Sequence, residues 1–87
     1  MNPQKLLLEA NTMNYSTEKS LAYELASTLQ DLDALTVYEG FVLKYSEAFL
    51  RKTLVKVMSV PDEKIKRTRG ALFTFLVQRN GGNNSRY

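Results

Sequence analysis

Apolar residues recur with a helical period from Leu21 onward. Leu21, Leu25, Leu29 and Leu32 fall near every fourth position with Ala22 and Ala26 beside them, which makes one apolar stripe on a helix. Ser16 or Thr17 supplies a cap, and Glu18 puts a negative charge at the positive end of the helix dipole. The pattern predicts a first helix over 17–30, ending where Asp31 and Asp33 compete for the backbone. Asp33 then suits the cap of a second helix over 34–44, whose broad apolar face is Val37, Tyr38, Phe41, Val42 and Tyr45. Gly40 sits inside it at a cost of ~1 kcal/mol relative to alanine. Beyond Ser46, another cap residue, the apolar set shifts to Phe49, Leu50, Leu54, Val57 and Met58. That change of phase divides 34–58 into two helices, the later one over 47–58. One continuous helix is the competing reading.

Ser59-Val60-Pro61-Asp62-Glu63 is the strongest punctuation in the chain. Proline fits the first turn of a helix, because it has no N–H to leave unpaired, and the two carboxylates suit the positive end of the dipole. A fourth helix is expected over 61–79. On it Ile65, Leu72, Phe73 and Leu76 form the core side, and Phe75 points off that stripe toward the N-terminal arm or a partner. Asn80-Gly81-Gly82 ends it with residues tolerant of the left-handed conformation. Residues 1–15 read as a flexible arm, 16–80 as the helical domain and 81–87 as a disordered tail. The expected fold is all-α, a small single-domain bundle of about four helices. Tyr38, Phe41, Tyr45, Phe49 and Phe73 are expected in its core.

Composition excludes more chemistry than it suggests. The 87 residues include no cysteine and no histidine, so disulfides, thiolate catalysis, Cys/His zinc sites and a histidine base are ruled out. The carboxylates are scattered, and Asp31, Asp33, Asp62 and Glu63 are explained as caps and first-turn charges. Neither a G-x-x-x-x-G-K-[ST] loop nor a G-x-G-x-x-G loop occurs. The expectation is a non-enzymatic chain with no cofactor and no metal. No apolar run approaches the ~20 residues that span a bilayer, and the short Leu6–Leu8 run lacks the length of a secretory signal. A cytoplasmic protein is expected.

Charge adds the one functional hint. The net charge of +3 conceals two unlike halves. Residues 1–43 hold two basic and six acidic groups, a net −4; residues 44–87 hold ten basic and three acidic, a net +7. Such a split points to a polyanionic partner for the basic half, or to attraction between the halves within the fold. On a helix, Lys66 and Arg67 face away from the core with Gly70 between them in angle, and a bare glycine there admits a phosphate backbone or another helix. Lys64 joins them, and Arg69 lies at the core edge with its stem packed and its head free to reach an acidic partner. Arg51, Lys52 and Lys56 form a second basic group on the third helix.

Leu54-Val55-Lys56-Val57-Met58-Ser59-Val60-Pro61-Asp62-Glu63-Lys64-Ile65-Lys66-Arg67 resembles a helix-turn-helix DNA-binding motif. Leu54, Met58, Val60 and Ile65 stand at its buried positions. Ser59 replaces the usual turn glycine, and Asp62 and Glu63 occupy the tip that would face base edges. The resemblance therefore implies contacts to DNA backbone phosphates through Lys64, Lys66 and Arg67 rather than base reading. Two functions are expected from these residues. One is a nucleic-acid-binding or replication/regulation accessory module that uses Arg51, Lys52, Lys56, Lys64, Lys66, Arg67, Arg69 and Gly70. The other is a protein-interaction or self-association module that uses exposed apolar residues such as Phe75 and Val77.

Overall fold

The leucine stripe of the first segment does form a helix, α1, over Thr17–Thr28. The computed structural model describes residues 17–83, so the expected arm over 1–15 and the last four residues of the expected tail lie outside the described residues. Leu21, Ala22, Leu25, Ala26 and Leu29 are buried, as their spacing predicts. Leu32 is not. The chain reverses at Gln30, which takes the left-handed conformation (φ 56°), and this turns Leu32 to solvent at 46% exposure. The reversal is a Schellman-type stop: Asp31 N–H donates to Ala26 O at 2.7 Å, and Gln30 N–H to Ser27 O at 3.1 Å.

A short 3₁₀ turn over Leu32–Ala34 leads into α2, Leu35–Lys44. Asp33 lies within that turn. The residue capping α2 is Ala34, which offers no side-chain hydrogen bond, so the expected Asp33 cap is not formed. Helix α2 ends at Tyr45, whose extended backbone (φ −115°, ψ 156°) breaks the 34–58 segment in two. Ser46 then caps α3, Glu47–Met58, its hydroxyl accepting from the Phe49 N–H at 3.3 Å. No strand occurs among the described residues.

The fourth helix, α4, spans Arg69–Asn80 and not 61–79. Residues 61–68 instead form a 3₁₀ turn at Asp62–Lys64 and then a non-helical connection that bends at Lys66–Arg67, with Ile65 and Thr68 in β-region backbone. Thr68 is the cap, its hydroxyl accepting from Ala71 N–H at 3.0 Å. The reason is electrostatic as well as local. A helix through 64–69 would set Lys64 against Arg67 and Lys66 against Arg69 at the i,i+3 spacing, where each like-charge pair costs about 0.2–0.5 kcal/mol.

Helix α1 packs on α2 and α3 on α4, around one core in which Tyr38, Leu50, Val57, Phe73 and Val77 are fully buried. The inward stripe of α4 is Gly70, Phe73 and Val77, with Leu72 and Leu76 only partly covered. Val77 is therefore core and not an exposed contact, and Gly70 faces inward rather than between Lys66 and Arg67. Gly81 also belongs to the domain. It is buried in the right-handed region (φ −82°), where a Cβ would stand 2.3 Å from the Tyr45 ring. It neither takes the expected left-handed conformation nor begins a tail.

Tyr38 carries a polar contact into the bundle. Its hydroxyl donates to Asp31 Oδ2 at 2.7 Å. Burial, together with the hydrogen bond and charge of Asp31, pushes the phenol well above its usual value of 10.0. The folded chain thus holds this proton more tightly than the unfolded chain does. The associated stability is intact below about pH 10 and is lost as the pH rises beyond it, by about 1.4 kcal/mol at one unit higher. The advantage of the wild-type chain over Tyr38→Phe in urea midpoint should therefore shrink between pH 8 and pH 11. An advantage that stays constant over this range would refute the assignment.

Candidate nucleic-acid interface

Two segments present the basic residues of the second half, and each is set by a cap. The Ser46 cap fixes the phase of α3, which turns Leu50, Thr53 and Val57 inward and leaves Arg51, Lys52 and Lys56 on the surface. The Thr68 cap fixes the start of α4 and leaves Lys64, Ile65, Lys66 and Arg67 in the connection before it. That connection is pinned to the end of α3 by Arg69. Its guanidinium donates to Val57 O at 2.7 Å and pairs with the Asp62 carboxylate. The arginine stem is mostly covered while Asp62 is almost fully exposed. Asp62 thus faces an arginine of its own chain, and Arg69 is committed to holding the loop.

Arg51 is committed too. It donates to both carboxylate oxygens of Glu24 on α1, at 2.8 and 3.1 Å, and to Glu47 one turn back on α3, at 2.7 Å. The hydrogen bond from Arg51 holds the Glu24 carboxyl below the usual carboxylate range, and Glu24 and then Glu47 raise the guanidinium in return. Both side chains are nearly half exposed, so the pair contributes no more than about 1 kcal/mol, as surface ion pairs do. It is one real instance of attraction between the acidic and basic halves.

Of the eight residues that the sequence nominates, the structure removes three from a free surface: Arg51 and Arg69 by pairing, Gly70 by burial. Lys52, Lys56, Lys64, Lys66 and Arg67 are exposed and make no ion pair among the described residues. They border two grooves. In the first, of about 420 Å³, Lys64, Lys66 and Arg67 stand around Ile65, Leu72 and Phe75. In the second, of about 430 Å³, Lys52 and Lys56 stand beside Phe49 and Leu76. Leu72 and Leu76 are one turn apart on α4, so the helix runs from one groove to the other.

The apolar floor is what the sequence reading missed. It follows from Ile65 lying on a bent, non-helical connection beside α4 rather than on the same helix as Leu72. Phe75 was singled out by its phase and is indeed 55% exposed, with the Arg79 guanidinium carbon 5.9 Å from its ring centroid. The segment aligned with the second helix of a helix-turn-helix motif is the non-helical connection itself, so the residues that would enter a major groove are here presented on a loop. Among the described residues no helix is long and apolar enough to cross a membrane, and no three metal-ligating side chains converge. No protein-family model, curated protein or solved structure matches this chain.

Proposed function

We propose that this chain is a non-catalytic nucleic-acid-binding module that grips the phosphate backbone through Lys52, Lys56, Lys64, Lys66 and Arg67. The observation that carries this reading is the pairing pattern. Glu24, Glu47 and Asp62 engage Arg51 and Arg69, while Lys52, Lys56, Lys64, Lys66 and Arg67 stand exposed around two grooves and make no ion pair among the described residues. Phosphate contacts dominate nucleic-acid affinity and require no base-reading helix, so the loop presentation of Lys64, Lys66 and Arg67 suits them. With base contacts absent from the argument, a role as an accessory to replication or regulation fits better than that of a site-specific switch. A cytoplasmic location is part of the same proposal, and a cysteine-free chain suits it.

The test is a salt series with labelled DNA. Binding is expected at about 50 mM salt, with affinity falling steeply as salt rises. Lys66→Glu with Arg67→Glu should weaken it at least ten-fold and reduce the salt slope by about 1 for each lost phosphate contact. Wild-type protein that binds neither duplex nor single strand at low salt rejects the reading.

A second reading, self-association, is favoured by one observation. Val37 and Leu43 are about half exposed on the outer side of α2, with the bare Gly40 between them. Sedimentation across a concentration series separates it from the first, since phosphate binding needs no dimer.

A further inference from the structure

The first groove pairs cations with an aromatic ring, and this narrows the ligand beyond a phosphate backbone. Lys64, Lys66 and Arg67 lie on one strip of chain, and behind them Ile65, Leu72 and Phe75 supply an apolar floor. A duplex offers phosphates to the cations, but its bases are stacked inside and have nothing to place on that floor. A folded protein partner would match the floor, yet three unpaired cations in four residues demand a run of carboxylates opposite them. A single strand satisfies both halves of the groove at once. Its phosphates meet the lysines and Arg67, and an unstacked base lies on the Phe75 ring, whose sequence-tolerant π-face suits any base. The Arg79 guanidinium lies over one face of that ring, so the base would stack on the opposite face with a cation close by.

We infer that the groove between the 64–68 connection and α4 is a single-stranded nucleic-acid site in which Phe75 stacks a base. This rests on the phosphate-binding reading above and specifies its ligand. Single strands of DNA and of RNA share the chemistry, and the difference at the sugar is left to the experiment.

The sequence contains no tryptophan, so Phe75→Trp introduces a single indole at the stacking position. The probes are oligothymidylate, oligouridylate, an abasic strand of equal length and a duplex. With the base-bearing strands the indole fluorescence is expected to quench on binding. With the abasic strand it should not, although phosphate binding persists. Phe75→Ala should weaken binding to the base-bearing strands about ten-fold and leave the abasic strand and the duplex unchanged. Phe75→Tyr should retain the preference. A quench with oligothymidylate alone, or oligouridylate alone, assigns the site to DNA or to RNA. Equal binding of base-bearing and abasic strands, with no quench, overturns the inference and leaves the phosphate reading standing. Binding to none of the four overturns both. Tighter binding to a polyglutamate peptide than to any strand also overturns it, in favour of an acidic protein.

Discussion

Phe73→Ala is expected to remove about 3–5 kcal/mol of stability, a large share of what a domain this small has. Phe73 is completely buried and projects from α4 into the aromatic cluster of α2, with its ring 5.9 Å from that of Tyr38 and 6.3 Å from that of Phe41. Truncation strips these contacts and opens a cavity that a closed helical bundle has little freedom to collapse. A domain of this size has a total stability of roughly 4–13 kcal/mol. Each kilocalorie lost moves the melting temperature by about 4–8 °C, so a drop of 15 °C or more is expected in circular dichroism. Phe75→Ala on the same helix is the control. Its ring is more than half exposed, and its loss should change stability by no more than about 0.5 kcal/mol. That contrast also protects the nucleic-acid experiment, since a binding defect in Phe75→Ala will not come from unfolding. Two variants with equal melting temperatures would contradict this account of α4.

What was legible in the sequence was what local chemistry decides. Ser46 with Glu47, followed by the Phe49/Leu50 phase shift, marks α3 to the residue, because both its cap and its stripe lie in the chain itself. The leucine repeat marks α1 but carries it to 30, two residues past its end at Thr28, because the reversal at Gln30 leaves no trace in the stripe. The start of α4 was not legible in this way. Pro61, Asp62 and Glu63 carry the chemistry of a helix start, and a single 3₁₀ turn already satisfies it. Where α4 then begins is set by the Thr68 cap, and repulsion among Lys64, Lys66, Arg67 and Arg69 adds to it. The bonds of Arg69 to Val57 O and Asp62 also matter, and they exist only once α3 is in place. Counting Ile65 as the first member of the α4 stripe rotated the whole helix in projection. That turned Gly70 outward, and it made Val77 look exposed. The candidate site suffered the same way. The exposed cations could be read from sequence, but the apolar floor beneath them arises from a loop crossing a helix, which no periodicity encodes.

Gly70→Ala is the substitution that most directly tests this corrected rotation of α4, and it should cost about 2–4 kcal/mol. In an ordinary helix the change from glycine to alanine stabilises by up to ~1 kcal/mol. Here an added Cβ would stand 2.5 Å from Asp31 Oδ2 and 2.9 Å from the Tyr38 hydroxyl. Both atoms belong to the part-buried hydrogen bond joining the α1–α2 turn to α2, and the fully buried Tyr38 ring has no room to retreat. Either the Asp31–Tyr38 bond breaks, which strands a buried hydroxyl, or the first turn of α4 lifts away and takes Arg69 and the basic connection with it. Gly40→Ala supplies the opposite sign. Gly40 lies in the interior of α2 with nothing within 4 Å of its absent Cβ, so alanine there should stabilise by about 0.5–1 kcal/mol. Urea unfolding of the two variants separates an inward Gly70 from the outward one that the helical projection of 61–79 would require, because an outward glycine would behave like Gly40. The cause of the cost is separable as well. In an Asp31→Ala, Tyr38→Phe background the two nearest colliding atoms are gone, so the same alanine at Gly70 should cost markedly less than it does in the wild-type chain. A penalty undiminished in that background would mean that α4 is held at Gly70 by something other than the Asp31–Tyr38 pair.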